Sequence, residues 1–240
     1  LTVAPSVTTG ARVSGCSRCS VSALSPLTNA AGDGQAGGSI GPMIKRTGLD
    51  AIVVRGKAAR PVYLHVEGGS AEIRDAGHLW GKRILDVLDV LEAEHPAKSI
   101  SVLQCGPAGE RLVRFANLMV DHNDAIGRTG MGAVFGSKNL RAIVVKGTEE
   151  VPFADPEALK ELNRAAGKRR PDAGFPTVLH KQGTPGVFSI QAEAGNIAVR
   201  NFSKSWREDH RALDGGTFES DMGAGGTTCW GCVVGCRKRV

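Results

Sequence analysis

The sequence predicts an α+β fold: a β-rich N-terminal domain followed by the start of a mainly helical domain. Three observations carry that expectation. Short runs rich in β-branched residues, bounded by Gly and Pro, recur through the first 150 residues. Ile84, Leu85, Val87, Leu88, Val90 and Leu91 form a stretch with helical apolar spacing. After Gly147-Thr-Glu-Glu-Val-Pro152 the texture changes, and Asp155-Pro-Glu-Ala-Leu-Lys-Glu-Leu reads as a helix capped by Asp155 with Pro156 at its first position. The domains are accordingly drawn at 1–150 and 151–240.

Residues 1–48 are rich in Gly, Ser, Thr and Ala, with little helical periodicity, and read as loops and short strands. Strands are predicted at Ala51–Arg55, Pro61–Glu67 and Ala71–Arg74, the last two joined as a hairpin by Glu67-Gly-Gly-Ser70. The helix that starts near Ile84 is ended by Pro96. Further strands are predicted at Ser99–Leu103 and Leu140–Lys146, with a tight turn at Gly106-Pro-Ala-Gly109 between them. Arg111–Met119 is apolar enough for a strand or a buried helix. Gly223-Ala-Gly-Gly226 reads as a short hinge.

Composition excludes several classes. The chain of 240 residues is 41% apolar, yet no apolar run approaches the roughly 20 residues that span a bilayer. Its start, Leu-Thr-Val-Ala-Pro, lacks the Met, charged segment and cleavage site of a signal peptide, and both ends read as the ends of a fragment. The net charge of +6 is dispersed, with Lys168-Arg169-Arg170 and Arg237-Lys238-Arg239 as its tight basic runs. With one Tyr and 5% aromatics there is no stacking platform for single-stranded nucleic acid. Six cysteines are too few for a disulfide scaffold. Their clustering as Cys16/Cys19 and Cys229/Cys232/Cys236 points to metal chemistry in a reducing compartment, the cytoplasm.

Three constellations carry the chemistry. Cys229, Cys232 and Cys236 are spaced C-x2-C-x3-C, with Gly231 and Gly235 between them. Short loops of this kind aim thiolates at one iron–sulfur cube, which takes four cysteines. Zinc pairs such a knuckle with a second knuckle or a His pair, and no His follows Cys229. The radical-SAM arrangement has the longer gap first. A cluster whose fourth thiolate lies beyond Val240 fits this spacing. The second constellation is Asp124-Ala-Ile-Gly-Arg-Thr-Gly-Met-Gly-Ala-Val-Phe-Gly-Ser-Lys-Asn139. Its glycines let backbone N–H groups approach an anion, and Arg128 and Lys138 add charge. A dinucleotide fingerprint needs a helix next, whereas the strand Leu140–Lys146 follows almost at once. The third is Gly15-Cys-Ser-Arg-Cys19 with Ser25-Pro-Leu-Thr28, in which Arg18 is the functional candidate and the two cysteines are bland.

Three ordered segments then resemble a known family. These are Ala36-Gly-Gly-Ser-Ile-Gly-Pro-Met-Ile-Lys-Arg-Thr-Gly-Leu-Asp-Ala-Ile-Val-Val-Arg-Gly-Lys-Ala58, the Gly127–Val145 block and the terminal cysteine motif. Together they are similar to the tungsten-containing aldehyde:ferredoxin oxidoreductases, over essentially the whole chain. The resemblance implies a tungstopterin (tungsten held by two pterin dithiolenes), magnesium bridging the pterin phosphates, and a 4Fe-4S cluster. Matched residue by residue, it implies that Arg18 meets a pterin phosphate and that Gly37 lies in a first pterin-contacting loop. Ala125, Gly127 and Arg128 would form a second loop, the Ala125 carbonyl binding magnesium, and Cys229, Cys232 and Cys236 would be three cluster ligands.

Two positions depart from the family pattern. Gln35 stands where an asparagine usually offers its backbone carbonyl to magnesium, and Asp124 where an arginine is common. The first is mild, because any residue has a carbonyl. The second exchanges positive for negative charge beside phosphates. The implied reaction is oxidation of a small aldehyde to a carboxylate, with two electrons leaving through the cluster to a ferredoxin or similar carrier. A same-superfamily reductase of aromatic acyl-CoA type is the alternative, and a zinc-binding basic module on nucleic acid is the reading from another class. No catalytic residue is assigned; His122 is read as a polar loop histidine. Self-association stays open, and the fragment alone is expected to be inactive.

Overall fold

The computed structural model describes residues 1–95, 100–222 and 225–238. Pro96, Ser99, Gly223 and Arg239, used above, lie outside the described residues. The chain divides into two compact units, Leu1–Asp155 and Pro156–Val240. The fold is α+β, as expected, with a β-rich first part.

In the first unit, strands β1 (Thr2–Pro5), β2 (Cys19–Leu24), β3 (Ala31–Ala36) and β4 (Ile52–Val53) form a four-stranded antiparallel sheet in the order β3-β2-β1-β4. Helix α1 (Ile40–Lys45) follows β3, although the Gly-rich composition had predicted loops and strands alone. The expected Ala51–Arg55 strand shrinks to two residues, Ile52 and Val53, paired with Val3 and Thr2 of β1, while Val54 beyond them bonds to Leu1.

The second sheet has six strands in the order β6-β5-β10-β7-β8-β9. Its members are β5 (Val62–Glu67), β6 (Ser70–Asp75), β7 (Ile100–Cys105), β8 (Leu118–Val120), β9 (Asp124–Ile126) and β10 (Leu140–Lys146). The β5–β6 hairpin forms where expected. Gly68 and Gly69 have φ of +53° and +75°, the two left-handed residues a tight twisted hairpin turn requires. Strand β10 runs parallel to β5 and antiparallel to β7, so the middle of this sheet is covered on both faces.

Alternation along β10 shows the two layers. Ile143 and Val145 join Val3, Val21, Ile40, Ile44, Leu103 and Phe135 in the core shared with the first sheet, α1 and α4 (Met131–Ser137). Ala142 and Val144 face the other way, into Leu79, Val87, Leu88 and Leu91 beneath helix α2 (Ile84–Glu94). Each fully buried aliphatic side chain contributes about 1.5–3 kcal/mol over exposure. Arg141, between these alternating residues, occupies a bulge where the β10/β5 register shifts.

Two short elements correct the sequence expectation. Gly106-Pro-Ala-Gly109 leads into a single helical turn, α3 (Pro107–Glu110), because Pro107 presets the first helical φ. Arg111–Met119 is mostly turn, ending in the three residues of β8, since Leu112 takes φ +57° and breaks any continuous element.

The second unit contains α5 (Pro156–Arg169), beginning at the proline, then α6 (Phe175–Gln182), α7 (Phe188–Glu193) and α8 (Gly215–Met222). A small hairpin, β11 (Gly226–Thr227) with β12 (Arg237–Lys238), closes the described part.

Candidate functional site

The glycine-rich segments of the first unit converge on one edge. Strand β3 is the outer strand of the first sheet and β9 the outer strand of the second, and the two adjoin. Their approach is set by glycine. A Cβ on Gly34 would fall 2.5 Å from Ile126 Cγ2 and 3.3 Å from the Arg128 carbonyl. Any larger residue would push the second segment away. Outer strands leave alternate backbone N–H and C=O groups outside the ladder, where they can meet a ligand.

Arg18 and Gly37 lie at the other end of the β2/β3 ladder. Cys19 pairs with Ala36, so the next position outward sets Arg18 opposite Gly37. The backbone of Arg18 is fixed, its carbonyl accepting from Thr9 Oγ1 at 2.9 Å, while the residue itself is exposed. Helix α1 presses on the same backbone: a Cβ on Gly41 would sit 2.9 Å from the Arg18 carbonyl. The Arg18 backbone is thus held while its side chain stands exposed.

Ala125 pairs with Met119 in the β8–β9 hairpin and is exposed, while Ile126 beside it is fully buried. Gly127 and Arg128 are exposed, and a Cβ on Gly127 would meet nothing within 4 Å. The chain then turns through Thr129 (φ +66°) and Gly130 (φ +74°) into α4. That helix had been missed in the sequence, where only the following strand was recognised. Seven residues with four small side chains give too little periodicity to read.

Ser25 holds the turn in place. Fully buried, its hydroxyl donates to the Thr129 carbonyl at 2.8 Å and accepts from the Leu27 and Thr28 N–H groups at 3.2 Å. Its function was not read from the sequence, although Ser-Pro is a turn signal that could have pointed to it.

The departures from the family pattern also find places. Gln35 is exposed on β3 and its Nε2 donates to Asp33 Oδ2 at 3.4 Å, Asp33 in turn accepting from Ser22 Oγ at 2.7 Å. Asp124 is half-buried and pairs with Val120. His122 is an exposed turn residue. Cys19 and Cys105 are poor ligands. Cys19 is buried and its thiol is pushed up to about 12 by burial, as is that of Cys105. Exposed arginines beside glycines, Arg18 next to Gly37 and Arg128 next to Gly127, are the chemistry a phosphate-bearing ligand such as a pterin phosphate needs.

In the second unit the three terminal cysteines, all half-buried, occupy the loop between β11 and β12. Gly231 and Gly235, both at φ +62°, give the loop its reversals. Cys232 N–H donates to the Cys229 carbonyl at 3.2 Å. Helix α6 braces the loop. His180 Nδ1 donates to the Val234 carbonyl at 2.6 Å, and Lys238 Nζ donates to the His180 carbonyl. Arg237 Nη2 donates to Cys229 Sγ at 3.2 Å. Among the described residues no group of three or more His, Cys, Asp or Glu converges tightly enough to hold a single metal ion.

Comparison with known proteins accounts for both units. Residues 1–147 match the family profile described as "Aldehyde ferredoxin oxidoreductase, N-terminal domain", and residues 157–240 match "Aldehyde ferredoxin oxidoreductase, domains 2 & 3". The tungsten-containing aldehyde ferredoxin oxidoreductase of Pyrococcus furiosus is 37% identical over 222 residues, covering 92% of this chain and 37% of that protein. The protein of the same name from Thermococcus kodakarensis is 35% identical over 239 residues, 99% of this chain and 40% of that one. Among solved structures, the active-site complex BamBC of benzoyl coenzyme A reductase, with 1,5-dienoyl-CoA, superposes with a TM-score of 0.79 at 28% identity, over 98% of this chain and 38% of that one. The chain therefore spans about two fifths of the length of these relatives. With the glycine-lined edge, the cysteine loop and both profiles in agreement, the chain belongs to the aldehyde ferredoxin oxidoreductase family.

Proposed function

We propose that this chain forms part of a tungstopterin, iron–sulfur oxidoreductase that oxidises aldehydes to carboxylates and passes the electrons to a ferredoxin-like carrier. What supports the reading is the approach of β3, at Gly34, to the Ile126–Arg128 segment, with Arg18 and Gly37 following at the end of the β2/β3 ladder. Residues 1–150 are the cofactor-cradling domain, and residues 151–240 begin the helical domain that bears the cluster cysteines.

Arg18 and Arg128 bind pterin phosphates, and charge-assisted hydrogen bonds of this kind are about twice as strong as neutral ones. Gly37 and Gly127 let the backbone come within contact distance of the cofactor. The Ala125 and Gln35 carbonyls would hold magnesium, a hard cation suited to oxygen ligands, which would neutralise phosphate charge there. Cys229, Cys232 and Cys236 hold the 4Fe-4S cluster. Arg237, bonded to Cys229 Sγ, tunes its potential. When bound, the tungstopterin supplies the two-electron redox chemistry that no side chain can supply. The protein's part is to seat it, orient it and shape the field around it. No helix among the described residues is long and apolar enough to cross a membrane. We place the enzyme in the cytoplasm, where it would meet a mobile carrier.

The test is metal analysis and visible spectroscopy of the full-length protein that contains this chain, purified anaerobically from a host supplied with tungstate. Tungsten, iron and broad brown absorbance, with aldehyde-dependent viologen reduction, are expected. A colourless zinc protein would overturn the reading. The structural likeness to the benzoyl coenzyme A reductase complex supports a second reading, a reductase of aromatic acyl-CoA thioesters. Turnover of an aromatic acyl-CoA with a reduced donor, and none of aldehydes, would select it.

A further inference from the structure

The two candidate loops are tied together by one side chain that the site as described above does not use. Asp121 is the first residue of the β8–β9 turn, three positions before the Asp124–Arg128 segment, and it takes φ +49°. Its carboxylate gathers donors from two directions. On its own sheet, Val102 N–H donates to Oδ1 at 2.8 Å, and Ser101 Oγ donates to Oδ1 and Oδ2 at 3.1 and 3.0 Å. Its backbone N–H donates to the Val102 carbonyl at 2.9 Å, fixing the turn to β7.

The other donor comes from the opposite loop. Ser39 Oγ donates to Asp121 Oδ2. Ser39 follows Gly37-Gly38 and stands at the N-cap of α1, where its hydroxyl makes no capping bond. Its hydroxyl is committed instead to a residue 82 positions away. Ser101, fully buried, also lies within 3.4 Å of Ser39 Oγ, so the three oxygens form a closed knot. One end of that knot carries Gly37 and the other carries Ala125, Gly127 and Arg128.

We propose that Asp121 is a positioning residue, a strut that fixes the Gly37 loop against the Ala125–Arg128 loop so that both meet one phosphate-bearing ligand. This rests on the cofactor reading given above. The left-handed φ fits the role: Asp and Asn are the side-chain-bearing residues that adopt it at least cost. A strut lowers the cost of ordering two loops around an anion, and that saving appears as affinity.

The sign of the effect separates the strut from plain electrostatics. Removing a carboxylate near an anion site should tighten anion binding by Coulomb's law. Removing a strut should weaken it. The experiment is calorimetric titration of the full 240-residue chain with inorganic pyrophosphate and magnesium at fixed ionic strength, alongside thermal melts. Asp121→Ala is expected to weaken pyrophosphate binding about tenfold, the scale of one charge-assisted hydrogen bond. Asp121→Asn keeps one acceptor oxygen for Val102 N–H and offers an NH2 donor that the Ser39 hydroxyl can accept, and it tolerates the backbone angle, so it should bind as the parent does or tighter. Ser39→Ala, which leaves every Asp121 bond to β7 intact, should weaken binding in the same direction. The Ser39→Ala/Asp121→Ala pair should be no weaker than Asp121→Ala within about twofold.

Unchanged or tighter binding by both Asp121→Ala and Ser39→Ala, with Arg128→Ala still abolishing it, would overturn the strut and leave the cofactor reading standing. No loss on Arg18→Ala/Arg128→Ala would overturn the cofactor reading and the strut with it. Should Asp121→Ala fail to fold, Ser39→Ala and Asp121→Asn decide the matter. A lowered melting temperature with unchanged affinity in Ser39→Ala reduces the knot to a fold contact and refutes the proposal.

Discussion

Replacing Glu110 by Ala should cost the first unit about 3–5 kcal/mol, the scale for removing one partner of a buried ion pair. Arg141 is fully buried in the β10 bulge, and the Glu110 side chain is 4% exposed. Arg141 Nε lies 3.0 Å from Glu110 Oε1, off the line of a hydrogen bond, so the pairing is Coulombic. Burial lowers the Arg141 pKa, with Cys105 and Glu110 opposing the shift, and the group remains a cation. Arg141 Nη2 also donates to the Lys82 carbonyl at 3.1 Å.

Truncating Glu110 therefore strands a buried cation. The Gly81 N–H that Glu110 also accepts adds little to the loss, because Gly81 is exposed and water replaces the bond. With a urea m value of about 2 kcal/mol/M, the transition followed by far-UV circular dichroism should move down by about 2 M. Arg141→Met alone should cost a similar amount. The Glu110→Leu/Arg141→Met pair should recover most of it, since apolar replacement of a whole buried pair is often neutral. A Glu110→Ala shift under about 0.5 M, or additive losses in the double variant, would show that water reaches the guanidinium and would refute the reasoning.

Other outcomes follow from single contacts. Gly136→Ala should destabilise by about 1–3 kcal/mol or more in urea melts, because its Cβ would sit 1.9 Å from the Gly109 carbonyl. Gly127→Ala should leave those melts unchanged, its Cβ meeting nothing within 4 Å, but lower the tungsten bound per protein. His65 and His95 stack at 4.6 Å, and both pKa values are held below the ordinary histidine range, first by burial and then by Arg74. The native state thus binds fewer protons than the unfolded one, whose histidines titrate near about 6.5. The histidines' stabilising contribution is complete above that pH and is lost as pH falls through it. Melting temperatures should hold from pH 8 to 7 and drop towards pH 5, with the slope flattened in His65→Gln/His95→Gln. Arg237→Ala removes the donor to Cys229 Sγ and should lower the cluster's reduction potential in a redox titration.

Much of the strand pattern was legible because it rests on local chemistry. Val62–Glu67 and Leu140–Lys146 are β-branched runs that can be buried on both faces, and Gly68-Gly69 admits the left-handed turn between β5 and β6. Helix α2 announced itself by apolar spacing, and α5 by a proline at its first position. Elements whose existence depends on distant partners were hidden. Helix α4 is seven residues of mostly small side chains, held by the close approach of Gly136 and Gly132 to backbone elsewhere. Strand β4 is two residues long, and its existence rests on pairing with Thr2 and Val3 some 50 positions away (53 minus 2 is 51).

The sequence by itself determined the chemistry available: three cysteines at cluster spacing, arginines among glycines, and enough ordered motif to mark the family. Composition and spacing are properties of neighbours along the chain, so they survive without a fold. Only the tertiary structure decided that Gly34 lets β3 lie against Ile126, that Arg18 stands opposite Gly37, and that Ser39 reaches Asp121. Those relations join residues up to 92 positions apart, between Gly34 and Ile126 (126 minus 34). They arise from closing two sheets on one core, and no local pattern records which glycine will face which carbonyl once the sheets have closed.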